Sequence, residues 1–387
     1  MAISNSVLEK LKIGLVFDDS LDKPDGVQQY VLSIGQWLAS QGHDVHYLVG
    51  STKRLDLPNV HSLSRNINVK FNGNRMSIPL PTFKRKLKSL LDSEKFDVLH
   101  VQLPYSPFLG QKIIKLARSD VAIIGTFHIA SESWLAITGS KLLRLWLGPT
   151  LKRFDYIVSV SKTAAYFAAD NFGIKTNVLP NVIDYERFAS ASPLERYNDE
   201  RLNVLFLGRL VPRKGCLVLL EAINQIKFDN TLPKFRLIIC GKGPLAKKLI
   251  DYSNKNKLRN IVEFVGFVSE QDKPKYYASA DISVFPSSGG ESFGIVLLEA
   301  MASGKSDVLA GNNPGYSSVI YDNPEQLFDP LDARKLAIKL RQHLLNEDIR
   351  KKSRKWGQEY AATFDTVIIG SKLLYIYQEA LRKRLGR

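Results

Sequence analysis

The sequence predicts an α/β protein with two doubly wound domains. Short apolar segments, for example 13–17 and 45–49, alternate with helical patterns along the chain, which is typical of parallel strands covered by helices on both faces. The length of 387 residues suits two domains. The pattern pauses at 180–193, where prolines interrupt it, and then begins again; we therefore expect a linker there.

The predicted strands fall into one set for each half of the chain. In the first half they lie at 13–17, 45–49, 98–101, 121–126 and 156–160, and in the second half at 203–207, 236–240, 261–265 and 282–285. We place an N-terminal domain at 1–187 and a C-terminal domain at 188–370. Ligands of doubly wound sheets bind outside the carboxyl ends of the strands, so we expect an active site in a cleft between two facing domains.

The composition is that of a globular protein with a large positive charge. Hydrophobic residues make up 44% of the chain and charged residues 24%. No apolar run approaches the ~20 residues that cross a bilayer, and the N-terminal segment lacks the layout of a signal peptide, so we expect a cytoplasmic protein. The net charge of +16 suits nucleic acid, anionic lipid or phosphorylated substrates, and by itself selects none of them.

The strongest chemical signal is the segment 285–299, which contains two glutamates. A Ser/Gly loop precedes Glu291, and a helix is predicted to begin near Phe293. A helix N-terminus offers unpaired N–H groups and the positive end of its dipole to an anion. We expect Glu291 to accept hydrogen bonds from sugar hydroxyls, and Glu299, about two turns into the helix, to hold a ribose diol.

A second signal follows the first strand of the second domain. Arg209 leaves the end of that strand, and Lys214 precedes Gly215, which opens the next helix. Arginine binds phosphate with planar paired donors, and lysine binds it as a point charge. We predict that Arg209 and Lys214 clamp a diphosphate.

Residues with metal-ligand spacing are absent from the sequence. Cys216 and Cys240 lie in apolar surroundings, and no carboxylate or cysteine cluster at ligand spacing accompanies His43 and His46. The chain also lacks a metal-binding D-x-D motif. We therefore expect a metal-independent reaction without a cofactor, in which protein cations and a helix terminus stabilise the departing charge.

These motifs together resemble glycosyltransferase family 4, whose members have the GT-B fold of two Rossmann-like domains and retain the anomeric configuration. Within the family, the chain is most similar to the phosphatidyl-myo-inositol mannosyltransferases. The resemblance covers nearly the whole chain. The matching motifs are E-x7-E at Glu291 and Glu299, G-R-x4-K-G at Gly208, Arg209, Lys214 and Gly215, P-N-x-x-D at Pro180, Asn181 and Asp184, G-x-G-P at Gly241, Gly243 and Pro244, T-F-H at Thr126, Phe127 and His128, and a glycine loop at Gly26.

The resemblance implies a role for each domain. The N-terminal domain binds the acceptor through Asp25, Val27 and Gln28, with the helix at 371–387 packing back onto it, and the C-terminal domain binds the nucleotide-sugar donor. His128 lies beside the transferred sugar. The implied catalytic residues are His128, Arg209, Lys214 and Glu291, and the donor-binding residues are Gly26, Gly208, Gly241, Gly243, Ser292, Phe293, Gly294, Ile295 and Glu299.

The resemblance implies transfer of a hexose, with mannose from GDP-mannose first, to a membrane-associated lipid or glycolipid. Two alternatives stay open: a UDP-sugar-dependent transfer of glucose or N-acetylglucosamine to a soluble or polysaccharide acceptor, and a non-catalytic nucleotide-sugar-binding module. A dinucleotide-dependent dehydrogenase is not expected, because no G-x-G-x-x-G follows the first strand. Nucleic-acid binding is not expected either, because no recognition module is present.

A short basic helix is predicted at 82–95. Its leucines share one face, surrounded by Lys84, Arg85, Lys86 and Lys88. Such a helix can lie on anionic lipid, and the matching helix of the similar mannosyltransferases does so. A second candidate lies at 141–153. We therefore predict a peripheral protein at the inner face of the cell membrane; the alternative is that both are ordinary sheet-covering helices with solvated lysines.

Four residues depart from the family's pattern. Asp25 stands where relatives have a glycine, Asp19 where the inositol-lipid enzymes have an aromatic residue, and Ser133 where they have a lysine. These changes argue against a phosphatidylinositol acceptor. Asp307 occupies a strand that is normally apolar, so we expect it to be exposed or to distort the sheet locally.

Overall fold

The computed structural model describes residues 10–22, 25–54, 56–71, 74–80, 82–128, 144 and 146–386. They form two compact units. The N-terminal unit comprises Met1–Val182 together with Thr366–Arg387, and the C-terminal unit comprises Ile183–Asp365. The sequence placed the divisions after residues 187 and 370; the contacts divide the chain a few residues earlier at both places.

The N-terminal unit contains a parallel sheet and a separate antiparallel hairpin. Its strands are β1 (Lys12–Phe17), β2 (Asp44–Val49), β3 (Val60–Ser62), the hairpin β4 (Asn66–Phe71) and β5 (Asn74–Pro79), β6 (Val98–Gln102), β7 (Ala122–Phe127), β8 (Tyr156–Ser159) and β9 (Asn177–Val178). Its helices up to that point are α1 (Gly26–Ser40), α2 (Lys84–Glu94), α3 (Leu109–Leu116) and α4 (Lys162–Phe172). Among the described residues, the parallel strands lie in the order β3-β2-β1-β6-β7-β8-β9.

The C-terminal unit repeats this plan. Its strands are β10 (Leu202–Leu207), β11 (Phe235–Cys240), β12 (Val262–Gly266), β13 (Ile282–Phe285), β14 (Asp307–Gly311) and β15 (Leu327–Phe328). Its helices are α5 (Tyr185–Ala189), α6 (Cys216–Ile226), α7 (Ala246–Lys255), α8 (Lys273–Ala278), α9 (Ile295–Ala302), α10 (Pro314–Val319), α11 (Ala333–Leu345) and α12 (Glu347–Ala362). The strand order is β12-β11-β10-β13-β14-β15, with every pair parallel.

The last helix, α13 (Thr366–Leu385), returns the chain to the N-terminal unit. Its residues Ile369, Leu373 and Tyr377 are buried in the same core as α1 and the sheet. Gly370 lies against the ring of Trp37, where a Cβ would come within 2.5 Å of a ring carbon. The helix is therefore an integral part of the N-terminal core.

The order of strands reverses once in each sheet. The reversal falls between β1 and β6 in the N-terminal unit and between β10 and β13 in the C-terminal unit. At such a switch point the connections leave the strand ends in opposite directions and open a crevice for a ligand. Both sheets therefore confirm the predicted doubly wound architecture and indicate where each site lies.

The expectation for Asp307 is wrong. Asp307 is the first residue of β14 and is fully buried, with an unbroken parallel register to β13. His343 Nδ1 donates to its Oδ2 at 2.5 Å, and the Ser353 hydroxyl donates to its Oδ1. A carboxylate is tolerated in this strand because two helices supply donors for both of its oxygens.

Helix α2 has one buried face and one basic face. Leu87 and Leu91 are buried, whereas Phe83, immediately before the helix, is 82% exposed. The four basic residues singled out from the sequence, Lys84, Arg85, Lys86 and Lys88, are all exposed. Of the helices in the described ranges, none combines the length and the hydropathy needed to cross a membrane.

Candidate active site

The loop between β13 and α9 carries Glu291 to the switch point of the C-terminal sheet. Helix α9 begins at Ile295, two residues later than expected, because Gly294 has a φ of 106° and lies outside the helical region. Ser292 and Phe293 therefore belong to the loop. The Phe293 side chain is buried, with its ring 5.9 Å from the ring of Phe364, and so holds the loop against the unit's core.

Glu291 is the centre of a cluster of cations. Its Oε1 lies 2.6 Å from the Arg213 guanidinium and 2.8 Å from Lys214 Nζ, and it accepts a hydrogen bond from the Ser287 hydroxyl at 2.8 Å. Arg213 and Lys214 come from a single 3-10 turn, Pro212–Lys214, after β10. The sequence indicated Lys214 and Glu291 but not their contact, and it did not single out Arg213 as a site residue.

A close backbone approach fixes this geometry. Gly215 ends the turn with a φ of 69°, and a Cβ there would overlap the carbonyl oxygen of Pro286. Ser288 N–H donates to the carbonyl of Arg213 at 2.9 Å. The loops after β10 and β13 are thus joined directly, which holds the two cations beside the carboxylate.

Burial and the neighbouring positive charges shift the pKa of the Glu291 carboxyl in opposite directions. Burial would raise the pKa of its carboxyl, but Lys214 and Arg213 outweigh burial and hold that pKa below the usual value. Burial lowers the pKa of Lys214, against the opposing effect of Glu291. Two cations face one carboxylate, so the cluster has an excess of fixed positive charge in a largely buried place, where charge is weakly screened.

The remaining donor-side glycines bring neighbouring loops together. Gly208 N–H donates to the carbonyl of Cys240 at 2.9 Å. A Cβ on Gly241 would overlap the carbonyl oxygen of Gly208, and one on Gly243 would overlap that of Leu210. The exposed Arg209 lies in the turn between these contacts, at the same strand ends as the Glu291 cluster. The structure thus gives these glycines a packing role in addition to the predicted donor contact.

Glu299 lies inside the C-terminal unit rather than on its surface. It is 3% exposed; Lys273 Nζ lies 3.2 Å from Oε1, and the Tyr277 hydroxyl donates to Oε2 at 3.2 Å. Burial raises the pKa of this carboxyl. Lys273 also contacts Glu270 at 2.7 Å. The predicted contact with a ribose diol is untested, and the structure adds Lys273 as the residue that positions this carboxylate.

In the N-terminal unit, His128 directly follows β7 and is buried. Its Nε2 donates to the carboxamide oxygen of Gln102 at 2.7 Å, and the ring of Tyr30 meets it edge-on at 4.9 Å. Gln102 ends the neighbouring strand β6. Sequence reasoning missed Gln102, although a polar residue at the end of an apolar strand was a visible signal.

A second buried histidine supports this arrangement. His100 is fully buried in β6; its Nδ1 is 2.7 Å from the Tyr377 hydroxyl and its Nε2 is 2.6 Å from Thr126 Oγ1. Burial lowers the pKa of both His100 and His128 to about 3. Both imidazoles are therefore neutral at physiological pH and serve as hydrogen-bonding groups.

This burial makes the N-terminal unit sensitive to acid. The unfolded chain binds protons at these histidines below pH ~6.5, whereas the folded unit does not until pH falls to about 3. We expect the free energy of unfolding to be undiminished above pH ~6.5 and to fall by about 1.4 kcal/mol per pH unit per histidine below it. Thermal unfolding between pH 7 and 5 measures this slope. His100→Gln should make it shallower, and an unchanged slope would contradict the assignment.

The N-terminus of α1 is already capped. Asp25 accepts a hydrogen bond from Gln28 N–H at 2.9 Å, and Gln28 Oε1 accepts one from Asp25 N–H at 3.4 Å, which forms a capping box. The Gln28 amide also donates to the carbonyl of Leu21. Asp25 and Gln28, predicted to bind the acceptor, thus also hold the start of α1. Val27 is half-buried, and Gly26 has no atom within 4 Å of its Cβ position.

The second predicted membrane segment lies only partly within the described residues. Ser133 and most of 141–145 lie outside them. Trp146 is 56% exposed, and Lys115 Nζ lies 5.1 Å from its ring. The described part of this segment therefore presents an aromatic side chain to solvent, beside a lysine of α3.

Both units match models of known families. The N-terminal part matches Glycosyltransferase Family 4 over residues 24–187. The C-terminal part matches Glycosyl transferases group 1 over residues 192–361.

Curated relatives match the chain along almost its entire length. The phosphatidyl-myo-inositol mannosyltransferase of Mycobacterium tuberculosis is 31% identical over 376 residues, which cover 95% of this chain and 97% of the relative. The enzyme of the same name from Mycolicibacterium smegmatis is 30% identical over 95% of this chain and 94% of the relative. A GDP-mannose-dependent alpha-(1-6)-phosphatidylinositol monomannoside mannosyltransferase of M. tuberculosis is 26% identical over 81% and 83%.

Solved structures share the fold. A glycosyltransferase from Rickettsia africae superposes with a TM-score of 0.75 at 20% identity, over 96% of this chain and 99% of that one. Anabaena HepE, solved with UDP and glucose, superposes with a TM-score of 0.72 at 18% identity, over 95% of this chain and 99% of that one. The two Rossmann-like units and the length and identity of these matches lead to one conclusion: the chain belongs to glycosyltransferase family 4 and is a glycosyltransferase of the GT-B fold.

Proposed function

We propose that this chain transfers mannose from GDP-mannose to a membrane lipid, with retention of the anomeric configuration and without a divalent metal ion. The observation that carries the proposal is the excess of fixed positive charge where β10 and β13 end, with Arg213 and Lys214 facing Glu291. The choice of donor follows the relatives named as mannosyltransferases, one of them as GDP-mannose-dependent. Phosphatidyl-myo-inositol is the first acceptor to test for the same reason, despite Asp19, Asp25 and Ser133.

In this mechanism the protein supplies the cations that a metal ion supplies elsewhere. The diphosphate gains negative charge as the bond to the sugar breaks, and Arg209 and Lys214 stabilise that charge from fixed positions. The leaving phosphate accepts the proton of the acceptor hydroxyl on the same face of the sugar, so the configuration is retained. His128, held neutral, donates through Nε2 to Gln102 and so can accept a hydrogen bond from a sugar hydroxyl through Nδ1.

Nucleotide binding can be tested first, and sugar transfer second. GDP is expected to raise the unfolding temperature more than UDP or ADP, because a ligand that binds the folded state stabilises it. Transfer from GDP-mannose to vesicles containing phosphatidylinositol should then proceed in EDTA, with an α-linked product by NMR. Stabilisation by UDP alone would support the UDP-sugar alternative, and binding of GDP-mannose without transfer to any lipid would indicate a non-catalytic module.

The exposed side of α2 is the proposed membrane surface. Four exposed basic side chains follow Phe83, so an apolar side chain and positive charge occur together at one end of the helix. Each basic residue near anionic lipid contributes about 1 kcal/mol. We expect the chain to sediment with anionic vesicles, and the combined change of Lys84, Arg85, Lys86 and Lys88 to serine to abolish this. Equal sedimentation of wild type and variant would contradict the assignment.

A substitution at Gly26 can test whether a substrate lies against this residue, because the substitution should not disturb the packing of the protein. Since no atom lies within 4 Å of its Cβ position, Gly26→Ala should leave stability unchanged or raise it by up to about 1 kcal/mol. If a substrate lies against this glycine, the added methyl group should lower the transfer rate about 100-fold. Activity equal to that of wild type would show that no substrate approaches Gly26.

A further inference from the structure

A cluster of histidine and carboxylate side chains lies on the N-terminal unit, at the edge strands β2 and β3. His46 Nδ1 is 2.9 Å from His61 Nε2, and the two rings stack with centroids 5.1 Å apart. His46 Nε2 lies 3.2 Å from Asp44 and 3.7 Å from Glu94. One ligating atom from each of His46, His61 and Glu94 falls within 4.8 Å of the others.

Three separate elements bring these residues together. His46 and Asp44 lie two positions apart on β2, so their side chains share one face of the strand. His61 comes from β3, and Glu94 ends α2. His46 is buried, His61 and Glu94 are half-buried, and Phe96 packs edge-on against His46 at 5.2 Å. The cluster is thus built on strands and a helix end, with one apolar wall.

We propose that His46, His61 and Glu94 bind a divalent transition-metal ion of the zinc class. Two imidazoles with one or two carboxylates are a donor set that zinc prefers, and calcium and magnesium prefer oxygen alone. The proposal is independent of the transfer reaction, because none of these residues belongs to the candidate active site.

Lys12 is the competitor for this site. Its Nζ lies 3.0 Å from Glu94 and 3.3 Å from Asp44, and so bridges the two carboxylates. A metal ion can take Glu94 while Lys12 keeps Asp44. Bound metal would then fasten the C-terminal end of α2 to the sheet edge, at the opposite end of that helix from Phe83.

Zinc titration tests the site on the full chain. Protein stripped with EDTA and dialysed should bind one Zn²⁺ per chain by calorimetry, with a rise in unfolding temperature, and Co²⁺ should give the visible absorption of a low-coordinate site. His61→Gln and Glu94→Gln should each weaken binding by at least about tenfold. Asp92→Asn, an exposed acid on the same helix, should leave it unchanged, and Lys12→Gln should tighten it.

The outcomes separate this site from the proposed reaction. Absence of saturable Zn²⁺ binding, or equal binding by wild type, His61→Gln and Glu94→Gln, would overturn the proposal. Transfer by His61→Gln in EDTA should match that of wild type without metal, since the reaction does not use this ion. A loss of transfer that only Zn²⁺ restores would instead count against the metal-independent mechanism and leave the binding result standing.

Discussion

Replacing Lys214 with alanine is expected to lower the rate of sugar transfer by roughly two to three orders of magnitude. Removing one fixed donor from a developing negative charge has an effect of this size. Lys214 is largely buried and 2.8 Å from Glu291 Oε1, so bulk water cannot replace its charge. Without Lys214, Arg213 is the remaining cation on that oxygen, at 2.6 Å. The single guanidinium neutralises Glu291, so the excess positive charge that a diphosphate requires is lost.

The measurement must separate lost chemistry from lost stability. Arg213 still pairs with Glu291 in Lys214→Ala, so we expect the variant to fold, with an unfolding temperature a few degrees lower. Lys234→Ala, at an exposed lysine of the same unit, controls for the loss of one positive charge. Transfer should be followed in EDTA with saturating donor, so that the rate at saturation is compared.

The double variant Arg209→Ala/Lys214→Ala is the stricter form of this test. Both predicted cations are then absent, and Arg213 remains beside Glu291 at the strand ends. Near-wild-type transfer by this variant in EDTA would show that the leaving group is stabilised by other means. The electrostatic mechanism would then be wrong, even though the fold and the family would stand.

The sequence predicted Lys214 and Glu291 as members of the cation cluster, but neither Arg213 nor the contact among the three. Lys214 and Glu291 each stood out in a motif, and the rule for parallel sheets places both at the strand ends. Their contact depends on the positive φ of Gly215 and its close approach to Pro286. Arg213 was missed because a 3-10 turn, which leaves no periodic pattern of its own, directs it toward Glu291.

The strands also divide into those that the sequence pattern predicted and those that it did not. Continuous apolar runs predicted β1, β2, β6, β10 and β11, because strands buried on both faces must be apolar. The short strands β3 and β9 and the hairpin β4–β5 have no such run and were missed. Helix α9 begins two residues later than predicted because Gly294 decides its boundary, and α13 begins at Thr366, five residues before its predicted start at 371.

Side chains far apart in sequence and brought together by the fold were beyond sequence reasoning. His46 was considered with its neighbour His43, which instead accepts a hydrogen bond from Leu11 N–H at 3.2 Å. The true neighbours of His46 are His61 and Glu94, from other elements. Asp307 was misjudged for the same reason, since its donors lie on α11 and α12.

Asp307→Val is expected to destabilise the C-terminal unit by roughly 3 kcal/mol, although valine is the more usual kind of residue for a buried strand. The change leaves the ring N–H of His343 and the hydroxyl of Ser353 buried without their acceptor. Each buried polar group that loses its partner costs about 1–3 kcal/mol. For a unit of this size the unfolding temperature should fall by roughly 6–12 °C.

A much smaller loss of stability is expected when the whole polar network is replaced. The Gln326 side chain donates to Ser353, so four residues share the network. Asp307→Val can be combined with His343→Leu, Ser353→Ala and Gln326→Met. This fourfold variant no longer contains the donors that the single change leaves without an acceptor. Well-packed apolar residues often match or exceed a buried polar network in stability, so the fourfold variant should recover most of the lost unfolding temperature. If Asp307→Val alone unfolds at the wild-type temperature, the network does not stabilise the unit. If the fourfold variant is as unstable as the single one, packing rather than unpaired donors sets the cost.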